Sequence, residues 1–172
     1  MNNLATRLKD LADASAAWSE DRWIGRASTL RDGDRVLGRL RIEGWMGHRA
    51  TLEIGGATWR MRQQPFKSRW SVEPDPPARG TLTFSSGMWG RRPLVLASGD
   101  ELRWRMRSLW RGSWAWMRRD DELVRFERRR AIPRAVVAVS WAREIRDWPE
   151  LEPLVGLGWW MLLERRSHSA AH

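Results

Sequence analysis

From Asp21 to about Trp141 the chain alternates between apolar and polar positions with a period of two. Leu40 and Ile42 oppose Arg39, Arg41 and Glu43, and Leu52 and Ile54 oppose Thr51 and Glu53. Trp59 and Met61 oppose Arg60 and Arg62, and Leu82 and Phe84 oppose Thr81 and Thr83. Val124 and Phe126 oppose Arg125 and Glu127, and Val137, Val139 and Trp141 form a further set. Successive side chains of a strand point to opposite sides of a sheet, so each run predicts a strand with one wet face. Turn signals separate the runs at Asp32-Gly33-Asp34, Gly55-Gly56, residues 73–80, Ser98-Gly99-Asp100 and Asp120-Asp121. They recur about every eight to twelve residues, the spacing of antiparallel hairpins.

Near its end the pattern changes. In PLVGLGWWMLLERR, residues 153–166, no charge falls between Leu154 and Leu163. A helix apolar on every side is buried on every side. At about 15 Å it is half of the roughly 30 Å needed to cross a bilayer. Asp147 reads as its N-cap, with Pro149 in the first turn and Glu150 at the capping-box position, while Arg165 and Arg166 suit its negative C-terminal end.

The chain also repeats itself. Residues 47–70 lie over 90–114 with WRMR matched to WRMR and Trp70 to Trp114, and the aromatic-led starts at Trp23, Trp70 and Trp114 stand 47 and 44 residues apart. Three units of about four strands make too wide a sheet to stay open, so closure is expected. The fold class that follows is all-β: a closed antiparallel barrel of about twelve strands around a buried hydrophobic C-terminal α-helix, which fills a lumen too wide for wall side chains alone. Residues 1–17 read as a leader or short amphipathic helix through Leu4, Leu8 and Leu11. Residues 18–146 read as the barrel strands, 147–166 as the central helix of the same domain, and 167–172 as a disordered tail.

Composition narrows the chemistry. The 172 residues carry a net charge of +10, and 31 basic residues include only two lysines, Lys9 and Lys67; there are 14 Trp, no Tyr and no Cys. With no Cys there is no disulfide scaffold or thiol nucleophile, which suits a reducing cytoplasm. The N-terminus lacks the apolar run of a secretory signal. The three histidines, His48, His168 and His172, have no spacing that makes a metal site or a nucleophile–base pair, and no glycine-rich loop opens a helix. No enzyme, metal or cofactor is expected.

Strands led by Trp/Phe-x-x-x-Trp, the W-R-x-R pieces and the closing WPELEPLVGLGWWMLLERR resemble the bacterial branch of the tubby C-terminal-like superfamily, which includes the LURP-one-related proteins and phospholipid scramblases. The resemblance covers roughly residues 18–166 and implies a twelve-stranded barrel around a hydrophobic helix, with binding to membrane lipid. The lipid-binding lysines of tubby proteins and the Cys-rich segment of scramblases have no counterpart, so the lipid interaction implied is a generic one with an anionic surface.

The anionic-surface candidates are Arg60, Arg62, Arg103, Arg105 and Arg107 on the outer face of the repeated strands, where guanidinium groups on adjacent strands would concentrate the field for phosphate, and Arg128, Arg129 and Arg130 in the densest basic run. The expected function is a non-enzymatic module on anionic phospholipid, cytoplasmic and peripheral to the membrane. The plain alternative is a solvated exterior whose arginines pair with Glu53, Glu101 and Glu122. Two other classes stay open. One is nucleic-acid binding through arginine and exposed tryptophan at Trp45, Trp89 or Trp110; the other is a protein-interaction module engaging Trp18 and Trp23.

Overall fold

The computed structural model describes residues 6–20, 26–43, 48–64, 69–76, 82–85, 93–96, 98–129 and 136–169. Among the described residues twelve strands precede one α-helix, with short 3-10 turns at Leu8–Asp10 and Arg143–Ile145: β1 (Ser15–Glu20), β2 (Ala27–Asp32), β3 (Arg35–Glu43), β4 (Arg49–Ile54), β5 (Ala57–Gln64), β6 (Arg69–Asp75), β7 (Leu82–Ser85), β8 (Leu94–Val95), β9 (Glu101–Ser108), β10 (Ser113–Arg118), β11 (Asp121–Arg129), β12 (Val136–Trp141) and α1 (Leu151–Ser169). Every strand pairs antiparallel with its sequence neighbours, and β1 pairs with both β2 and β12, so the hydrogen-bonded order returns on itself as a closed barrel. The wall is thinnest at β8, two residues long.

The alternation read from the sequence sets the two faces. Leu40, Leu52, Met61, Leu102, Val124, Phe126, Val137 and Val139 are buried, and the arginines between them face outward. The doubled WRMR occupies equivalent strands, β5 and β9, and the matched Trp70 and Trp114 fall on the strands that follow, β6 and β10. Trp104 is buried and Trp59 half-buried.

The helix runs inside this wall. Trp159 stacks on Trp18 of β1 with ring centroids 5.8 Å apart, and Trp160 meets Trp70 of β6 edge-on at 4.6 Å. Trp116 of β10 donates from Nε1 to the Leu154 carbonyl at 3.1 Å. Two helical glycines admit the wall: a Cβ at Gly156 would overlap Leu52 of β4, and one at Gly158 would overlap the Phe126 ring of β11. Close approach of this kind is the use of a residue that costs stability in a helix interior.

Three expectations are corrected. The helix begins at Leu151, without Asp147 as its cap, and continues to Ser169 beyond Arg166. Pro149 disfavours the helical region at Trp148; turns occupy 146–147 and 149–150 instead, and the first helical bond runs from the Leu154 N–H to the Glu150 carbonyl at 2.9 Å. At the N-terminus the short-helix alternative holds, as one 3-10 turn at Leu8–Asp10, and the loose leader does not, because Leu8 and Leu11 are buried in the core and β1 starts at Ser15. Met106 has the inward parity of Leu102 and Trp104 but is 48% exposed. It lies near the end of β9 opposite Trp114, whose ring stacks on Trp104 and carries Arg165, so the lumen is already filled below it.

Antiparallel pairing gives the barrel two unlike ends. The N-terminus of α1 lies at one, where the Glu152 carboxylate abuts Gly55 in the β4–β5 turn. At the other, α1 emerges: Arg166 pairs with Glu20 at the end of β1, and Arg165 lies over the Trp114 ring beside the β9–β10 hairpin.

Candidate anionic-surface site

Seven of the eight candidate arginines fall in the described residues, and all seven are exposed; Arg130 lies outside them. The structure does not join them into one patch. β5 and β9 are separated by β6, β7 and β8, so Arg60 and Arg62 sit a third of the way round the twelve-strand ring from Arg103, Arg105 and Arg107. The expectation that these two sets lie on adjacent strands is therefore corrected; a repeat of four strands always returns on a different side of a barrel.

Their surroundings differ as well. Arg60 pairs with Asp75 across β5 and β6 at 2.8 Å. Arg107 and Arg125 share Glu122, at 3.2 and 2.6 Å, so Glu122 does serve as a counter-ion, while Glu53 and Glu101 make no ion pair among the described residues. Arg62 faces Arg49 across the β4–β5 ladder, a like-charge pairing that weakens a sheet unless something else compensates. Arg103 and Arg105 line a groove of about 670 Å³ with Arg118 and Arg119, but Asp100, Glu101, Asp120 and Asp121 line it too. The signs balance there, and Arg118 is committed to Glu144 at 2.9 Å.

A second hollow, of about 430 Å³, opens at the end from which α1 emerges. Among the described residues its charged lining is Arg128, Arg165 and Arg166, the last of which is also paired with Glu20, and its apolar lining is Trp114, Val137 and Leu162. Arg128 reaches it because it shares the parity of Val124 and Phe126 and stands opposite Val137 on β12. The Arg165 guanidinium lies 4.1 Å from the Trp114 ring centroid, and partial burial pulls its pKa down from the ordinary arginine value, although a guanidinium stays charged at any physiological pH. Four successive elements, β10, β11, β12 and α1, build this hollow, and only Arg128 was legible as a candidate beforehand. The signal that could have found the rest is the Trp114–Arg165 pairing of a rim aromatic with the helix's terminal arginines.

The tryptophans divide between core and surface. Trp18, Trp104, Trp116, Trp141, Trp159 and Trp160 are buried, whereas Trp110, in the β9–β10 turn, is 96% exposed. Trp23, Trp45 and Trp89 lie outside the described residues. His48 is held by Gln63, with 3.1 Å between Nδ1 and Oε1. Among the described residues no three potential metal ligands gather, and no helix is long and apolar enough to cross a membrane. Compared with known proteins, the chain matches no family model, no curated protein and no solved structure.

Proposed function

We propose that this protein is a non-enzymatic module that associates peripherally with anionic phospholipid surfaces. One observation carries the reading: Arg62, Arg103, Arg105, Arg111, Arg128 and Arg129 are exposed and have no carboxylate partner among the described residues. Guanidinium groups left without internal partners are suited to bidentate contact with phosphate. The resemblance to the tubby C-terminal-like superfamily points the same way, since a barrel closed on a hydrophobic helix is the scaffold on which those proteins meet phospholipid. The second reading is single-stranded nucleic acid, favoured by the exposed Trp110 ring as a stacking platform beside Arg111.

Flotation with neutral phosphatidylcholine vesicles and with vesicles containing phosphatidylglycerol, beside a titration with single-stranded DNA, separates the two. Lipid association predicts binding to the anionic vesicles alone, weakened by salt as the Debye length shrinks to about 8 Å at physiological ionic strength. Binding to DNA without binding to vesicles reverses the assignment.

A further inference from the structure

Resting on that reading, we infer that the protein meets the membrane end-on: the Leu109–Trp110 tip of the β9–β10 hairpin enters the lipid interface while the arginine-lined hollow beside it receives a phospholipid phosphate. Three large apolar side chains cluster on this one hairpin, with Met106 48%, Leu109 75% and Trp110 96% exposed. Single exposed hydrophobics are ordinary, but several on one hairpin, two of them in its turn, mark an interaction site. Tryptophan, amphipathic and rigid, is the residue that favours the membrane–water interface.

The charge around the tip selects a bilayer as the occupant. Arg107 and Arg111 flank it, and Arg128 packs beside Gly112 at its base, within 3.5 Å of where a Cβ on that glycine would lie. The adjoining hollow combines Arg128, Arg165 and Arg166 with the apolar faces of Trp114, Val137 and Leu162. A phosphate above an acyl chain presents that same order of charge and oil. The opposite end of the barrel lacks this bias, since its turns set Asp32, Asp34, Asp100 and Asp120 beside Arg31, Arg35 and Arg119 and expose no comparable apolar tip among the described residues. The connections joining β1 to β2, β3 to β4, β5 to β6 and β7 to β8 contain Trp23, Trp45, Phe66 and Trp89 in sequence, but these lie outside the described residues and the argument rests on the hairpin and the hollow.

Because the chain has no cysteine, one engineered thiol reports one place. An environment-sensitive fluorophore on Leu109→Cys should shift to the blue when vesicles containing phosphatidylglycerol are added, and the same label on Asp34→Cys, in a turn at the far end, should not. Leu109→Ser/Trp110→Ser, at positions that bury almost nothing, should keep the wild-type thermal transition yet lower vesicle partitioning by about tenfold or more, the loss expected for one large apolar side chain. Arg128→Gln should reduce the preference for anionic over neutral vesicles. If the wild type floats with anionic vesicles but the Leu109 label stays unshifted and the serine variant floats equally well, end-on insertion is overturned while lipid association stands. If the wild type floats with no vesicle, both readings fall together. A shift produced only by single-stranded DNA assigns the tip to nucleic acid and overturns the inference.

Discussion

Replacing Gly158 by alanine sets two effects of known sign against each other. On helix propensity alone the substitution should stabilise α1 by about 1 kcal/mol. Inside this barrel the added methyl would overlap Cζ and Cε2 of Phe126. That ring has little room to retreat, being buried and packed edge-on against Trp104 at 5.3 Å. Overpacking of a core costs about 1–3 kcal/mol. With the ring confined, the upper part of that range applies, and the net loss is about 1–2 kcal/mol, a fall in melting temperature of about 2–8 °C for a chain of this size. Gly156→Ala should cost less, because it meets the ends of the flexible Leu52 and Met61 side chains. Differential scanning calorimetry on both variants, and on Gly158→Ala combined with Phe126→Leu, tests the reasoning. The smaller leucine should recover part of the loss, giving a favourable coupling between the two sites. A melting temperature for Gly158→Ala equal to or above that of the wild type would show that the helix does not press on the wall at this point.

The remaining predictions concern the helix as a whole and its first turn. Leu157→Asp places an unpaired carboxylate at a position with no exposure, and a chain ending near Ser140 lacks α1 altogether; both should lose the cooperative transition seen by circular dichroism, and a cooperative melt of the shortened chain would refute a barrel built on its helix. Burial raises the pKa of Glu152 above its ordinary value, against the lowering effects of Arg7 and of the hydrogen bond it accepts from the Leu8 N–H. The ionised form thus costs the folded state stability that is present below the ordinary glutamate pKa, about 4.3, and is lost as pH rises through the raised one. Glu152→Gln should therefore melt higher than the wild type at pH 7 and the same as it near pH 4; a difference that grows as pH falls would contradict this.

What the sequence discloses is what local chemistry dictates. Alternation fixed which residues of β3, β4, β5, β11 and β12 face inward, because a one-residue slip would move a whole apolar set to solvent. The uncharged stretch from Leu154 to Leu163 announced a helix buried on all sides, and the four-strand repeat carried Trp70 and Trp114 to equivalent strands. What stayed hidden depends on distances across the fold. Nothing local says that Met106, with the right parity, stands above the filled part of the lumen, or that Leu8 and Leu11 reach the core. The hollow draws on β10, β11, β12 and α1, so its lining appears only once the barrel is built.

The arrangement of the arginines finally bears on how they could act together. A flat surface laid against the side of a barrel touches only a few neighbouring strands, so Arg62 on β5 and Arg105 on β9, a third of the ring apart, could not share it. A surface laid across the end touches every strand. Arg62 lies two residues from the end of β5, Arg107 one from the end of β9, and Arg129 closes β11, all at the end from which α1 emerges. Arg111 in the hairpin turn and Arg165 and Arg166 on the helix belong to the same end. A charge set that looks dispersed when strands are read one at a time converges when the barrel is viewed down its axis. Reversing charge at the two places therefore gives unequal effects: Arg103→Glu/Arg105→Glu, midway along the wall, should leave vesicle partitioning within about threefold of wild type, whereas Arg111→Glu/Arg129→Glu should lower it by about tenfold or more, at about 1 kcal/mol for each basic residue removed and an added repulsion for each acid introduced. Equal losses from the two pairs would place the contact on the wall.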